Sequence, residues 1–199
     1  SEPQRFEKQI NYLNKNPNTV LVGSGHKEVL KNDDYGKSYY YPDNSWELKQ
    51  RLLYSGAFFS HSSSIFSKAA AEEVGFYRPR LKRSQDWDLW LRLIDLGEFS
   101  SIREPLVGIK TFHNNRLSNT NNGNTQMLYS NIAVSGYWVK NLYGFDPIMG
   151  TNKQFNFFKD IVEKELKERN YFSNQRFLAL LKKRLKHRKT NFEIFLVFF

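Results

Sequence analysis

The segment RSQDWDLWLRLIDLGEF, residues 83–99, carries two carboxylates whose position could support chemistry. Asp86 and Asp88 stand at the start of a predicted helix whose Trp and Leu side chains recur at helical spacing. Asp is a poor helix-interior residue, but at a helix entrance its carboxylate faces unpaired N–H groups and the positive end of the helix dipole. Two interpretations follow for Asp86: a structural helix cap, or an ionised carboxylate at the floor of a cleft, ready to accept a proton.

The two carboxylates differ in what the neighbouring sequence offers them. Arg92 follows Asp88 by four residues, so the two can form a helix-surface ion pair worth ~0.2–0.5 kcal/mol. We therefore interpret Asp88 as structural and keep Asp86 as the candidate base. The large apolar residues of the helix are interpreted as core, although Trp87 could also border a binding pocket.

The composition fits one folded domain with a small appendage and excludes several chemistries. The chain has 199 residues, of which 40% are hydrophobic and 16% aromatic, which argues against wholesale disorder. It has no Cys, which removes disulfides, thiolate metal sites and Cys nucleophiles. No Ser-His-Asp set, P-loop or HExxH spacing occurs, so hydrolase, NTPase and zinc-protease activities have no support.

The net charge of +10 is concentrated near the C-terminus. Six of the eight residues in Lys182–Lys189 are Lys or Arg, and the tail 191–199 is strongly apolar. A basic helix followed by this tail, residues 173–199, could lie on an anionic membrane surface, or it could finish a core or pack on a partner. Excess positive charge would also suit a nucleic-acid binder, but no recognition motif with interleaved aromatics accompanies it.

Periodicity and turn residues predict a mixed α/β first part and an all-helical second part. The predicted helices cover 3–16, 45–53, 68–74, 85–96, 125–142, 153–170 and 173–188, and the predicted strands cover 19–22, 58–66, 99–102 and 106–112. Ser45 is the predicted cap of the second helix. Gly23-Ser24-Gly25 is expected to form a turn rather than a phosphate loop, because the G-x-G-x-x-G spacing is not completed. The segments 31–44 and 77–83 are predicted loops, and the Asn-rich stretch 114–124 marks the boundary between the two parts.

Three segments, in this order, resemble the C-terminal part of a family 2 glycosyltransferase domain of the GT-A type: PQRFEKQINYLNKNPNTVLVGS, YYYPDNSWELKQRLLYSGAFFSHSSSIF and RSQDWDLWLRLIDLGEFSSIREPLVGIKTFH. The resemblance implies an α/β fold in which residues 1–120 form the acceptor side of a Rossmann-like domain and residues 121–199 form a helical extension. It also implies that the nucleotide-binding half, with its D-x-D motif, is missing, so that this chain alone is expected to be inactive.

The resemblance implies an inverting enzyme that transfers a sugar from a nucleotide-sugar donor to a glycan or lipid-linked acceptor. Asp86 matches the family's general base, which takes the acceptor hydroxyl proton while that oxygen attacks the sugar. The implied substrate-binding residues are His61, Arg83, Gln85, Trp87 and Arg116. His113 is the implied ligand of Mn²⁺ or Mg²⁺ in the complete enzyme, and Lys110 could neutralise diphosphate oxygens.

Each of these assignments has a structural alternative. His61 could be a satisfied structural histidine, and Lys110, His113, Arg116 and the basic loop 77–83 could be solvated surface. For the whole chain, the alternatives are a non-catalytic remnant that serves as a binding or scaffold module and, on charge alone, a nucleic-acid binder. The transferase hypothesis implies a cytoplasmic protein that contacts the inner face of the membrane through 173–199.

Overall fold

A computed structural model describes residues 1–55, 58–110 and 120–168. The helices are α1 (Arg5–Lys15), α2 (Ser45–Gln50), α3 (Lys68–Glu73), α4 (Gln85–Leu93), α5 (Thr120–Tyr143) and α6 (Asn152–Glu168), and the strands are β1 (Thr19–Val29), β2 (Tyr35–Tyr39), β3 (Ile65–Phe66) and β4 (Glu98–Lys110). A π turn follows α2 at Arg51–Ser55, and a 3-10 turn precedes β3 at His61–Ser63. The predicted helices within these ranges are confirmed, and the helix predicted at 173–188 lies outside them.

The four strands form one mixed sheet with β1 at its centre. β4 runs parallel to β1 along its whole length, from Thr19 beside Glu98 to Val29 beside Lys110. β2 and β3 are antiparallel to β1, and they share its other edge, β3 near the start of β1 and β2 near its end. The prediction of an α/β fold is therefore confirmed at the level of class.

The turn predicted at Gly23–Gly25 is wrong, because β1 continues through both glycines. A Cβ atom at Gly23 would lie 2.3 Å from Cγ of Phe59, and one at Gly25 would lie 2.6 Å from the carbonyl oxygen of Tyr39. Glycine within a strand often marks such a close approach. The missing side chains at Gly23 and Gly25 therefore let the Phe59 ring and the Tyr39 backbone pack directly against β1.

Two segments differ from prediction in how much strand they contain. The predicted loop 31–44 contains β2, an edge strand whose sequence YGKSY lacks apolar alternation. The predicted strand 58–66 is reduced to β3. Ser63 Oγ donates to the Ser60 carbonyl (2.8 Å) and Ser64 Oγ to that of His61 (2.7 Å), and such side-chain bonds compete with strand pairing. His61 consequently lies in a 3-10 turn and not at a strand end.

The two strands predicted at 99–102 and 106–112 are one strand, β4, as far as Lys110. Its register beside β1 shifts where Pro105 pairs with Gly25. Proline has no backbone N–H, and sheets tolerate it at such irregularities. The prediction of two separate strands is therefore wrong, and Pro105 lies at an irregularity within one continuous strand.

The cap of α2 also differs from prediction. Asn44 caps the helix, with its side chain accepting a hydrogen bond from the Glu47 N–H (3.0 Å). Ser45, the predicted cap, accepts instead from the Phe99 N–H (2.9 Å). This bond ties the start of α2 to β4.

The hydrophobic core joins the sheet to the C-terminal helices. Leu21, Phe59 and Trp90 belong to the same buried cluster as Ile132 of α5 and Phe158 of α6. Residues on both sides of the predicted boundary near residue 120 thus share one core. None of the helices in the described ranges is long and apolar enough to cross a lipid bilayer.

Candidate active site

The backbone enters α4 through an unusual conformation at Ser84. This residue has a φ of 54°, in the left-handed region that non-glycine residues adopt at a cost of ~1–3 kcal/mol. Its hydroxyl donates to the Gln126 carbonyl (3.2 Å) and accepts from the Gln126 side-chain amide (2.9 Å). Because Ser84 Oγ is engaged by α5, it does not cap α4. The first turn of α4 is therefore held by tertiary contacts.

Asp86 occupies the second position of α4 and is half-buried. Its Oδ1 accepts the N–H of Trp87 (2.8 Å), and no residue of the described ranges donates to its Oδ2. The carboxylate therefore keeps one oxygen available beside the positive end of the helix. Asp86 is not the N-cap residue of α4, so the simple capping interpretation does not describe its position. Its role as a base stays a prediction.

Asp88 is a structural residue, as predicted, but its partners are more numerous than the sequence indicated. It is 1% exposed and pairs with Arg92 (2.9 Å) and with Arg78, whose Nε lies 2.9 Å from Oδ2. Arg78 also pairs with Asp146 (2.7 Å), from the segment between α5 and α6. Burial acts to lower the pKa of Arg78, but hydrogen bonds and charge from the two aspartates outweigh it and raise the pKa overall.

His61 and Tyr77 form a pair beside the first turns of α4. His61 Nε2 lies 2.8 Å from the Tyr77 hydroxyl, and the His61 ring lies 6.2 Å from the ring of Trp90. Trp90 is four residues after Asp86, so the two share one side of α4. Burial raises the pKa of Tyr77, and the charge of Asp86 raises it further. The structure thus places His61 and Tyr77 on the same side of α4 as Asp86.

Sequence reasoning missed Tyr77. No helical or strand spacing relates Tyr77 to Asp86 or to His61. The only indication in the sequence was that Tyr77 brings an aromatic hydroxyl into the loop before α4. Just before that loop, Gly75 and Phe76 have positive φ values of 78° and 53°.

Three N–H groups near the start of α4 are buried without an acceptor in the described part of the chain. They are Arg83 Nε, Trp87 Nε1 and Trp90 Nε1. Buried N–H groups in proteins normally have a hydrogen-bond acceptor. Donors without one are therefore candidates for binding a ligand rich in oxygen acceptors. Gln85, the remaining predicted substrate-binding residue of this segment, is exposed at the first position of α4.

Two of the four basic residues of the loop 77–83 are engaged within the protein. Arg78 is buried in its ion pairs, and Arg80 donates to the Ile148 carbonyl (2.8 Å) and to that of Gly150. Both arginines therefore direct guanidinium donors to groups of the protein itself, and neither is simply a solvated surface charge. The loop instead fastens the α5–α6 region to the sheet domain.

The predicted metal and diphosphate residues receive little structural support. His113 and Arg116 lie outside the described residues, as does 173–199. Lys110 pairs with Asp33 (3.5 Å) at the end of β4. Within residues 1–55, 58–110 and 120–168, no three His, Cys, Asp or Glu side chains come together as possible metal ligands. The described residues therefore do not by themselves fit Mn²⁺ or Mg²⁺.

Comparison with known proteins finds sequence similarity between part of the chain and a glycosyltransferase. No family model matches it. Over 97 residues, 48% of the chain, it is 33% identical to the amylovoran biosynthesis glycosyltransferase AmsE of Erwinia amylovora, and the matched region covers 35% of that protein. The chain is thus related in sequence to a glycosyltransferase, of which it matches about a third of the length.

Proposed function

We propose that this chain is the acceptor-side part of an inverting family 2 glycosyltransferase with a GT-A fold, and that Asp86 is its general base. The observation that carries the proposal is the position of Asp86: half-buried at the start of α4, with one carboxylate oxygen free of described donors. The relationship to a glycosyltransferase supports the class of reaction. The donor is a nucleotide sugar, and the acceptor is a hydroxyl of a glycan or lipid-linked saccharide.

In the proposed reaction the acceptor hydroxyl donates a hydrogen bond to Asp86 Oδ2. As the acceptor oxygen attacks the anomeric carbon, its proton moves to Asp86, the bond between that carbon and the diphosphate oxygen breaks, and the sugar inverts. The unsatisfied donors of Arg83 and Trp87 support a substrate-binding role for these residues, because buried N–H groups normally find an oxygen acceptor. Tyr77 is bonded to His61, and the charge of Asp86 is a secondary cause, after burial, of its raised pKa.

The remaining parts of the proposal rest on the resemblance. The donor site and any Mn²⁺ or Mg²⁺ would need ligands beyond those in the described ranges, and we assign no step to a metal ion. The basic and apolar segment 173–199 would bring the enzyme to the inner face of the membrane, where lipid-linked acceptors are presented.

The test is Asp86→Asn in the complete protein, assayed for sugar transfer from nucleotide-sugar donors. We expect turnover to fall about 10²–10⁴-fold, because that is the usual contribution of a general base, while donor affinity is unchanged. Asp160→Asn on the exposed side of α6 is the matched control and should transfer normally. Near-normal turnover in Asp86→Asn would remove Asp86 from the role. If the complete protein transferred no sugar, the result would favour the alternative that the chain is a non-catalytic binding or scaffold module.

A further inference from the structure

The segment 78–84, directly before α4, is tied at both ends to the C-terminal part of the chain. At its start, Arg78 pairs with Asp146 (2.7 Å), from the segment between α5 and α6. At its end, the Ser84 side chain is bonded to Gln126 of α5. The path of the backbone into α4 is therefore set by tertiary contacts.

Ser84 adopts a strained backbone conformation in which glycine would be unstrained. Its φ is 54°, and the residue is 5% exposed. Glycine adopts left-handed φ values without steric cost, because it has no Cβ. Strained residues persist where the surrounding structure determines them, and they concentrate at functional sites. A serine at this position therefore indicates a role for the hydroxyl, which glycine lacks.

The Ser84 hydroxyl makes both of its hydrogen bonds to the same residue. It donates to the Gln126 carbonyl (3.2 Å) and accepts from the Gln126 side-chain amide (2.9 Å). Two bonds to one partner restrain the orientation of Ser84 as well as its distance from α5. Gln126 lies beyond the three segments that resemble the glycosyltransferase family, so the resemblance implies no role for it.

The backbone of Ser84 passes this restraint to the first turn of α4. The Ser84 carbonyl accepts the Asp88 N–H (3.1 Å), which closes that turn. Asp86 lies inside the turn, and its Oδ1 is bonded to the Trp87 N–H (2.8 Å). With the backbone and one carboxylate oxygen held, the direction of the second oxygen, Oδ2, follows from the position of the turn.

We propose that Gln126 is a positioning residue for Asp86: its two bonds to Ser84 hold the first turn of α4 so that Oδ2 meets the acceptor hydroxyl. The inference rests on the proposed function, because it requires Asp86 to be the general base. A displacement of about 1 Å in a reacting group can cost about 10²-fold in rate. Helix α5 therefore serves the reaction and is more than an appendage to the sheet.

The first test is Gln126→Leu in the complete protein. We expect kcat to fall about 10–10²-fold, less than in Asp86→Asn, because the base is displaced but still present. The KM for the donor should be unchanged. Gln154→Leu is the matched control, since Gln154 accepts the Thr151 N–H (2.7 Å) at the start of α6 and should transfer normally. Wild-type kcat in Gln126→Leu, or an equal loss in Gln154→Leu, would overturn the role.

Ser84→Gly separates positioning from stability. Glycine accepts the left-handed φ, so the melting temperature should stay close to that of the wild type while kcat falls as in Gln126→Leu. The double variant should lose kcat about as much as either single variant, because both remove the same contact. Losses that multiply would contradict the proposal. Asp33→Gly, at a φ of 62° between β1 and β2, is the matched control and should transfer normally.

Amide hydrogen exchange measured by NMR tests the restraint without an activity assay. The Asp88 N–H should exchange about fivefold faster or more in Gln126→Leu, because the turn that it closes is less restrained, and exchange in α6 should not change. Unchanged exchange at Asp88 would overturn the proposal. A loss of turnover in Asp86→Asn but not in Gln126→Leu would refute this inference and leave the proposed function standing. Normal turnover in Asp86→Asn would refute both.

Discussion

Replacing Arg78 by Met should destabilise the fold strongly, because Arg78 joins two carboxylates in a buried network. The Arg78 and Asp88 side chains are 9% and 1% exposed, and the second partner, Asp146, is 18% exposed. Removing one partner of a buried ion pair costs about 3–5 kcal/mol, since the other charge stays buried. Asp88 keeps Arg92, so we place the cost near the lower end, at about 3 kcal/mol.

For a chain of this length, that loss corresponds to a melting temperature lower by roughly 6–12 °C. Circular dichroism during heating measures the midpoint, and urea unfolding checks that the slope of the transition is unchanged. Lys68→Met is the matched control, because the Lys68–Glu72 pair (3.5 Å) has a lysine side chain that is 82% exposed. Its removal should leave the midpoint almost unchanged, since surface pairs contribute little.

The reasoning would be refuted by an Arg78→Met midpoint within roughly 2 °C of the wild type. A further check is Asp88→Asn, alone and combined with Arg78→Met. The double variant should lose less stability than the sum of the single variants, because the two residues interact directly.

Three other predictions test separate features. Gly23→Ala should cost about 1–3 kcal/mol by overpacking against the Phe59 ring, and urea unfolding would show a lower midpoint; an unchanged midpoint would mean that the ring moves freely. Burial raises the pKa of Tyr137, and a neighbouring carboxylate raises it further. The protonated Tyr137 side chain therefore stabilises the fold fully below the unfolded-state pKa of about 10, and this contribution is lost as the pH rises toward the folded-state pKa. Tyr137→Phe should therefore lose less stability between pH 7 and pH ~11 than the wild type, and equal losses would contradict this. Asp86→Asn should lower the pKa of Tyr77 only in part, because burial is the larger cause, and NMR of the tyrosine ring would show no change if the two side chains were apart.

The local features of the candidate site followed from sequence. The start of a helix at Gln85, with Asp86 in its first turn, was predictable because Asp favours helix entrances. The Asp88–Arg92 pair followed from helical spacing. The relationship to glycosyltransferases was expected from three ordered segments, and comparison supports it at that general level.

Features that depend on contacts between distant segments were not predictable. Tyr77 reaches His61 across 16 residues, and Arg78 reaches Asp146 across 68. Neither separation has a periodicity, because loops set the path between them. The apolar residues of α1 likewise predicted a helix, but the Gln9 amide bonds decided which side faces the sheet.

By itself, the sequence determined the class of the fold, the order of the helices in the described ranges and the placement of Asp86 in a first helical turn. These depend on hydrophobic spacing and backbone preferences, which act over a few residues. Tertiary structure alone decided the length of β1, the commitment of Arg78 to a buried network and the pairing of His61 with Tyr77. These depend on which distant groups the folded chain brings within a hydrogen bond of each other, and short-range patterns carry no information about that.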